Sequence, residues 1–239
     1  MIPTLIAISV VTSVLGCWPA VRDTARGLRN PGDPRAAKPV VMSWVIWTAI
    51  LAIGGAAALS TGQLAAAVFT LAQAAQCGLV ALLAMRVPVG RREEPYRVPL
   101  GRRRVRLDVL CLPGAVAGLV LLVALRNPGL AVVVCVATEV LAYVPTVAHS
   151  WGFPYSEPWP SYAWYAVSAA AALAAAAHLT VTAVAYPAFL ILAETVTTAV
   201  ILIRRSVTAP PPGLVAEFRP DAKLFRRRSA ASRAGGGAP

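Results

Sequence analysis

Lys38 to Arg86 reads KPVVMSWVIWTAILAIGGAAALSTGQLAAAVFTLAQAAQCGLVALLAMR. It carries no charge between its two ends, is about twice as long as one bilayer crossing requires, and is interrupted only at Ser60-Thr61-Gly62-Gln63. This predicts a membrane hairpin, with one helix over Val40 to Leu59 and a second over Leu64 to Met85. A related stretch occupies Pro158 to Arg204, PWPSYAWYAVSAAAALAAAAHLTVTAVAYPAFLILAETVTTAVILIR, with aromatic residues in the same places and a polar residue again deep in its second half. The chain therefore reads as a duplication.

Composition agrees with a membrane solvent. Of 239 residues, 58% are apolar and 13% charged, and the mean hydropathy is +0.67. A soluble core could not hide that much apolar surface. The Ala-rich and Arg-rich usage suggests a bacterial gene. The net charge of +12 would fit a nucleic-acid partner only if it were spread over a folded face. Instead, 21 of the 22 Lys and Arg residues fall in three segments, Arg22 to Lys38, Arg86 to Arg106 and Arg204 to Arg233, leaving only Arg126 outside them. Basic residues confined between apolar spans follow the positive-inside rule, so no nucleic-acid partner is expected.

Working outward, span 1 covers Ile2 to Val21, where Pro19 should kink or end the helix. Met1 is followed directly by apolar residues with no basic n-region, so the span is expected to be retained with its N-terminus outside. The basic loop 87–106 separates the halves, its arginines set against anionic headgroups. Span 4 follows at about Leu107 to Leu125, and Arg126-Asn127-Pro128-Gly129 is a tight turn. Span 5 covers Leu130 to Ala148 and contains Glu139, Tyr143 and Pro145. Span 6 starts at Ser161 and span 7 ends near Ile203, their boundary marked only by His178, Thr180 and Thr182.

The expected fold is thus all-α and integral to the membrane: seven transmembrane helices as two parallel three-helix repeats joined by a linker helix, 3+1+3. Three crossings reverse direction, and one extra helix restores the orientation of the second repeat. The corresponding units are 1–86, the basic loop 87–106, the linker 107–126, the second repeat 127–204 and a Pro, Gly and Arg-rich tail 205–239, expected to be disordered. With the N-terminus outside and the C-terminus cytoplasmic, all three basic segments lie inside the plasma (inner) membrane.

The polar residues within the spans are the candidate site. An acidic residue at mid-membrane costs about 2.5 to 3.5 kcal/mol on insertion scales, so Glu194 and Glu139 should face a protein interior or a wet cavity. Either could bind a solute, carry a proton or serve as a catalytic acid. Either could equally make an interhelical hydrogen bond. Gln73 and Gln76 share one helical face and could line a pocket or tie helix to helix. Trp44, Trp47, Tyr162, Trp164 and Tyr165 are either an interfacial aromatic belt or a pocket floor, with Trp47 and Trp164 the pocket candidates. Pro19, Pro39, Pro145 and Pro160 either hinge the repeats or end helices. Cys17, Cys77, Cys111 and Cys135 have no CxxC spacing, and the only histidines are His149 and His178. Neither a metal site nor a cofactor is expected. The expected partners are the bilayer and a small-molecule substrate, and a homo-oligomer is compatible with the pattern.

These residues resemble a family. The 3+1+3 plan, with Pro19 and Pro145 near the ends of spans 1 and 5 and Pro39 and Pro158 or Pro160 opening spans 2 and 6, resembles the SWEET and PQ-loop transporters. So do Ser43-Trp44 with Trp47 and Ser161-Tyr162 with Trp164-Tyr165. The resemblance implies a carrier working by alternating access, prolines acting as hinges, and a polar residue in the third helix of each repeat facing the pocket. Gln73 (or Gln76) and Glu194 hold those places here, where the sugar carriers usually have Asn. Ala20 follows Pro19 and Thr146 follows Pro145, where a strict Pro-Gln pair would have Gln. Ala169 to Ala177, which would face the pocket, is almost pure alanine and offers no ring on which a sugar could stack. A carboxyl in the pocket allows proton coupling. The alternative is a membrane-embedded enzyme of the terpene cyclase type, with Glu194 or Glu139 protonating an isoprenoid.

Overall fold

The computed structural model describes residues 1–29, 41–86, 101–152, 154–155 and 158–208. Pro39, the stretch 87–100 of the basic loop and the tail 209–239 lie outside the described residues. Seven helices are found among those described: α1 (Ile2–Arg29), α2 (Val41–Ser60), α3 (Leu64–Arg86), α4 (Gly101–Val123), α5 (Pro128–Gly152), α6 (Trp159–Ala174) and α7 (Val181–Val207). Four of them, α1, α3, α5 and α7, are long and apolar enough to cross a membrane. In α2 and α4 the apolar part is shorter, Trp44–Ser60 and Cys111–Val123. The protein is all-α and has the character of a membrane protein.

Helix α1 shows why. The residues it buries are Ser9, Thr12, Ser13, Gly16, Cys17, Thr24 and Gly27, all small or polar. Its Val11, Val14, Leu15 and Trp18 face outward and are exposed. In water this arrangement would place the apolar face on the wrong side. In lipid it is favourable, because small residues let helix backbones approach while large apolar ones meet the acyl chains.

The tight turns form where the sequence predicts them. Gly62 takes a φ of +73°, the left-handed conformation that ends α2, and Gln63 donates its amide to the Ala58 carbonyl at 2.9 Å. At the α4–α5 turn Arg126 has a φ of 49°, and the Asn127 side chain accepts the Leu130 amide at 3.1 Å, capping α5. Helix α6 departs from expectation. It stops at Ala174, within the alanine tract, and the chain reaches α7 through a turn in which the Thr180 amide donates to the His178 carbonyl at 3.0 Å. Alanine favours helix at every position of the tract, so its propensity does not choose that end point. Pro19 does not end its helix. α1 runs through it to Arg29, with Thr24 and Gly27 buried beyond the proline, so packing holds the helix past the missing hydrogen bond. The helix of span 5 likewise continues through position 145 to Gly152, and α4 begins at Gly101, which takes Arg102 to Arg106 out of the expected loop.

Helix packing sets the layout. α1 packs on α3, and α3 packs on α2; α5 packs on α7, and α7 packs on α6. The two groups meet through α1 with α6 and α2 with α5, while α4 lies against α5 and α2. A small cleft of about 90 Å³ is lined by Ile2 and Ile6 of α1, by Gly62 to Ala66, by Ala175 to Ala177 and by Ala183. It brings the N-terminal ends of α1, α3 and α7 to one end of the bundle. At the opposite end Arg204 lies over the Trp151 ring at 4.8 Å, so α5 runs parallel to α7. Arg22, Arg26, Arg29, Arg86, Arg204 and Arg205 accordingly collect at the same end of the molecule.

The core lies between α2, α3, α5 and α7, around Ile50, Phe69, Val132, Tyr186 and Leu190. Tyr186 donates its hydroxyl to the Ile50 carbonyl at 3.1 Å, and its ring lies so close to Gly54 that a Cβ there would meet ring carbon Cε2 at 2.2 Å. The glycine is required by that approach.

Candidate functional site

Polar residues converge at the centre of the bundle. Glu139 is near the middle of α5, Glu194 near the middle of α7, and Gln73 and Gln76 near the middle of α3. Both glutamates are 3% exposed and Gln73 is 7% exposed. Burial this complete places each side chain among protein atoms, where polar groups need partners.

Tyr143 supplies one of them. It stands one helical turn after Glu139 on the same face of α5, and its hydroxyl donates to one carboxylate oxygen of Glu194. Its ring lies 6.1 Å from that of Trp47 on α2 and meets Phe189 of α7 edge-on at 5.6 Å. Trp47 in turn contacts Trp44 edge-on at 5.4 Å. Three helices thus contribute rings around Tyr143, the donor to Glu194. The Glu139 and Glu194 carboxyls are within electrostatic reach of each other, and Cys77 of α3 is within reach of both.

At Gln76, also on α3, the polar contacts are made. The Gln76 amide donates to the Ser13 hydroxyl at 2.9 Å, and the Tyr165 hydroxyl donates to the Gln76 carbonyl at 3.4 Å. Gln76 therefore ties α1, α3 and α6 together. Four atoms at the centre differ from it: the second carboxylate oxygens of Glu139 and Glu194, Nε2 of Gln73 and Nε1 of Trp47 are buried and have no partner. Two acceptors and two donors are left over on α2, α3, α5 and α7, the helices that enclose the core. Unsatisfied groups at this density are costly to a fold and call for a role.

Of the residues singled out in the sequence, Gln73, Gln76, Glu139, Glu194 and Trp47 come together. Trp164 does not. Its neighbour Tyr165 turns inward to Gln76, and one step along the helix rotates Trp164 about 100° away, leaving it 41% exposed. His178 is exposed in the α6–α7 turn. Of the four candidate hinges, Pro160 sits in the first turn of α6 and is exposed, Pro19 is interior to α1, and α5 passes through position 145 as helix. Two further prolines, Pro113 in α4 and the buried Pro187 in α7, lie inside helices and drew no role from the sequence.

Sequence reasoning gave no role to Tyr143 or Phe189 and left Ser13 and Cys77 aside. Helical spacing could have found two of them, since Tyr143 follows Glu139, and Cys77 follows Gln73, by one turn. Ser13 carries a repeat signal, because it precedes Pro19 by the same distance at which Glu139 precedes Pro145. Comparison with protein-family models, with curated proteins and with solved structures finds no match to this chain.

Proposed function

We propose that the protein is a carrier of a small polar or amphipathic solute, of the SWEET and PQ-loop type, whose site is the central cluster of Glu139, Glu194, Gln73, Gln76, Trp47 and Tyr143. The observation that carries this reading is the set of buried, unpartnered polar atoms on Glu139, Glu194 and Gln73, midway along three helices. A solute with complementary donors and acceptors would satisfy them.

The helix contacts support the 3+1+3 arrangement. In each half the third helix packs between the first and second, and the halves meet first helix to second helix in both directions. Thr61 in the α2–α3 turn and Thr182 in the first turn of α7 oppose each other, their hydroxyl oxygens 2.9 Å apart and their positions separated by 121 residues. The same separation relates Gln73 to Glu194. Parallel repeats of this kind carry solutes by rocking about a site at their interface. All seven helices cross the plasma membrane in this reading, α6 with its 16 residues being the short one, accommodated by local thinning or by its flanking turns. The arginine-rich end is cytoplasmic and the N-terminus outside. Proton linkage follows if a glutamate carries a proton on the return step.

Reconstituted in proteoliposomes, the full chain is expected to show saturable uptake of at least one member of a panel of sugars, polyols, amino acids and amines, lost in Glu194→Gln. Vesicles impermeable to the whole panel would sink the carrier reading. A terpene cyclase type of enzyme is the second reading, favoured by the gathering of the Trp47 and Phe189 rings around Tyr143, the donor to Glu194, since such rings stabilise carbocations. Expression in a host fed isoprenoid precursors tests it, and absence of any new product by mass spectrometry removes it.

A further inference from the structure

We propose that the solute is a small organic cation, a protonated or quaternary amine bearing an oxygen acceptor, held between Glu139 and Glu194 with its alkyl groups against Trp47, Tyr143 and Phe189. For transport this rests on the carrier reading above; for binding it stands alone.

The charge of the site points to a cation. Two carboxyls lie within electrostatic reach of each other, each with a buried oxygen that meets no donor. Among the described residues no basic side chain accompanies them. Arg22, Arg26, Arg29, Arg86, Arg204 and Arg205 stand towards the C-terminal ends of their helices, Arg102 to Arg106 at the start of α4, and Arg126 in a turn. The groups around the pair are Tyr143, Tyr186, Cys77 and Cys135, which bring no positive charge. A buried acid pair with no internal counter-charge is neutral when protonated or when a cation lies beside it, and the walls of the site favour the cation.

The class of cation follows from the remaining walls. Among the described residues no three His, Cys, Asp or Glu side chains gather as a metal ion would need. What gathers instead around Tyr143, the donor to Glu194, is a set of aromatic rings, and ring faces attract alkylammonium groups. A bare proton would use neither the rings nor the two spare donors. Gln73 lies one helical turn before Cys77, which is within electrostatic reach of both carboxyls, and its amide has no partner. That amide and the Trp47 indole N–H are suited to a hydroxyl or carbonyl oxygen on the same molecule.

Choline has this pattern, and 3,3-dimethylbutan-1-ol has its shape without the charge. The decisive measurement is equilibrium binding of radiolabelled choline to the full chain in nanodiscs, with the neutral isostere as competitor. Saturable binding is expected, with the isostere at least about tenfold weaker. Glu139→Gln and Glu194→Gln should each weaken choline by about tenfold or more, and Trp47→Leu more than Trp47→Phe. No saturable choline binding to the wild-type chain, or an isostere that competes as well as choline, overturns the proposal; neither outcome depends on a variant that folds. Uptake of a neutral solute without choline binding overturns the cation and leaves the carrier. Choline binding without uptake of any solute keeps the cation and removes the carrier.

Discussion

Tyr143 is the residue on which the central cluster turns. Its hydroxyl satisfies one oxygen of Glu194, and its ring bridges Trp47 and Phe189, so a single side chain links α2, α5 and α7. Tyr143→Phe keeps the ring and removes the donor. Interhelical hydrogen bonds in membranes average about 0.6 kcal/mol, so thermal unfolding in detergent should change little. Solute uptake should fall by about tenfold, because Glu194 is left with a second unpartnered oxygen and a different orientation. Unchanged uptake would separate the Tyr143 hydroxyl from the site. At this scale the sequence was informative about the acids and amides, which stand out against an apolar background. The aromatic partners were not legible, because a Tyr or Phe in a membrane span is ordinary.

Among the elements, α2 and α7 illustrate how little room the bundle leaves. Gly54 lies against the fully buried ring of Tyr186, and a methyl group there would overlap the ring at 2.2 Å. Gly54→Ala should therefore destabilise the protein by about 1 to 3 kcal/mol, the range for overpacked cores, as read by thermal unfolding in detergent. Gly78→Ala is the control: its Cβ would meet Thr48 Cγ2 at 3.5 Å, ordinary contact, and its effect should be small. Equal stability of the two variants would contradict the close approach of α2 and α7. The hairpin turns at Gly62 and Asn127 were legible in the sequence because turn chemistry is local. The ends of α1 and α6 were not, since Pro19 is overridden by contacts with α3 and α6 and the alanine tract has no local stop.

Over the whole molecule, carrier function requires the two ends of the bundle to open in turn. Thr61 and Thr182 meet at the end at which α1 begins. In a background lacking the native cysteines, Thr61→Cys with Thr182→Cys should form a disulfide on oxidation, since the two oxygens lie 2.9 Å apart. Uptake into proteoliposomes should then stop and should return on reduction. A cross-linked protein that transports at full rate would exclude opening at this end.

The sequence by itself determined that this chain is helical and suited to lipid, where the turns at Gly62 and Asn127 fall and which polar residues are out of place, because hydropathy, turn residues and mid-span charge are properties of short segments. Only the tertiary structure decided that Glu139, Glu194 and Gln73 are buried while Trp164 faces outward, that α1 extends to Arg29 and α5 to Gly152, and that Tyr143 joins Glu194 to the rings. Those outcomes depend on which helix faces meet across more than a hundred residues of chain, and no local pattern carries that information.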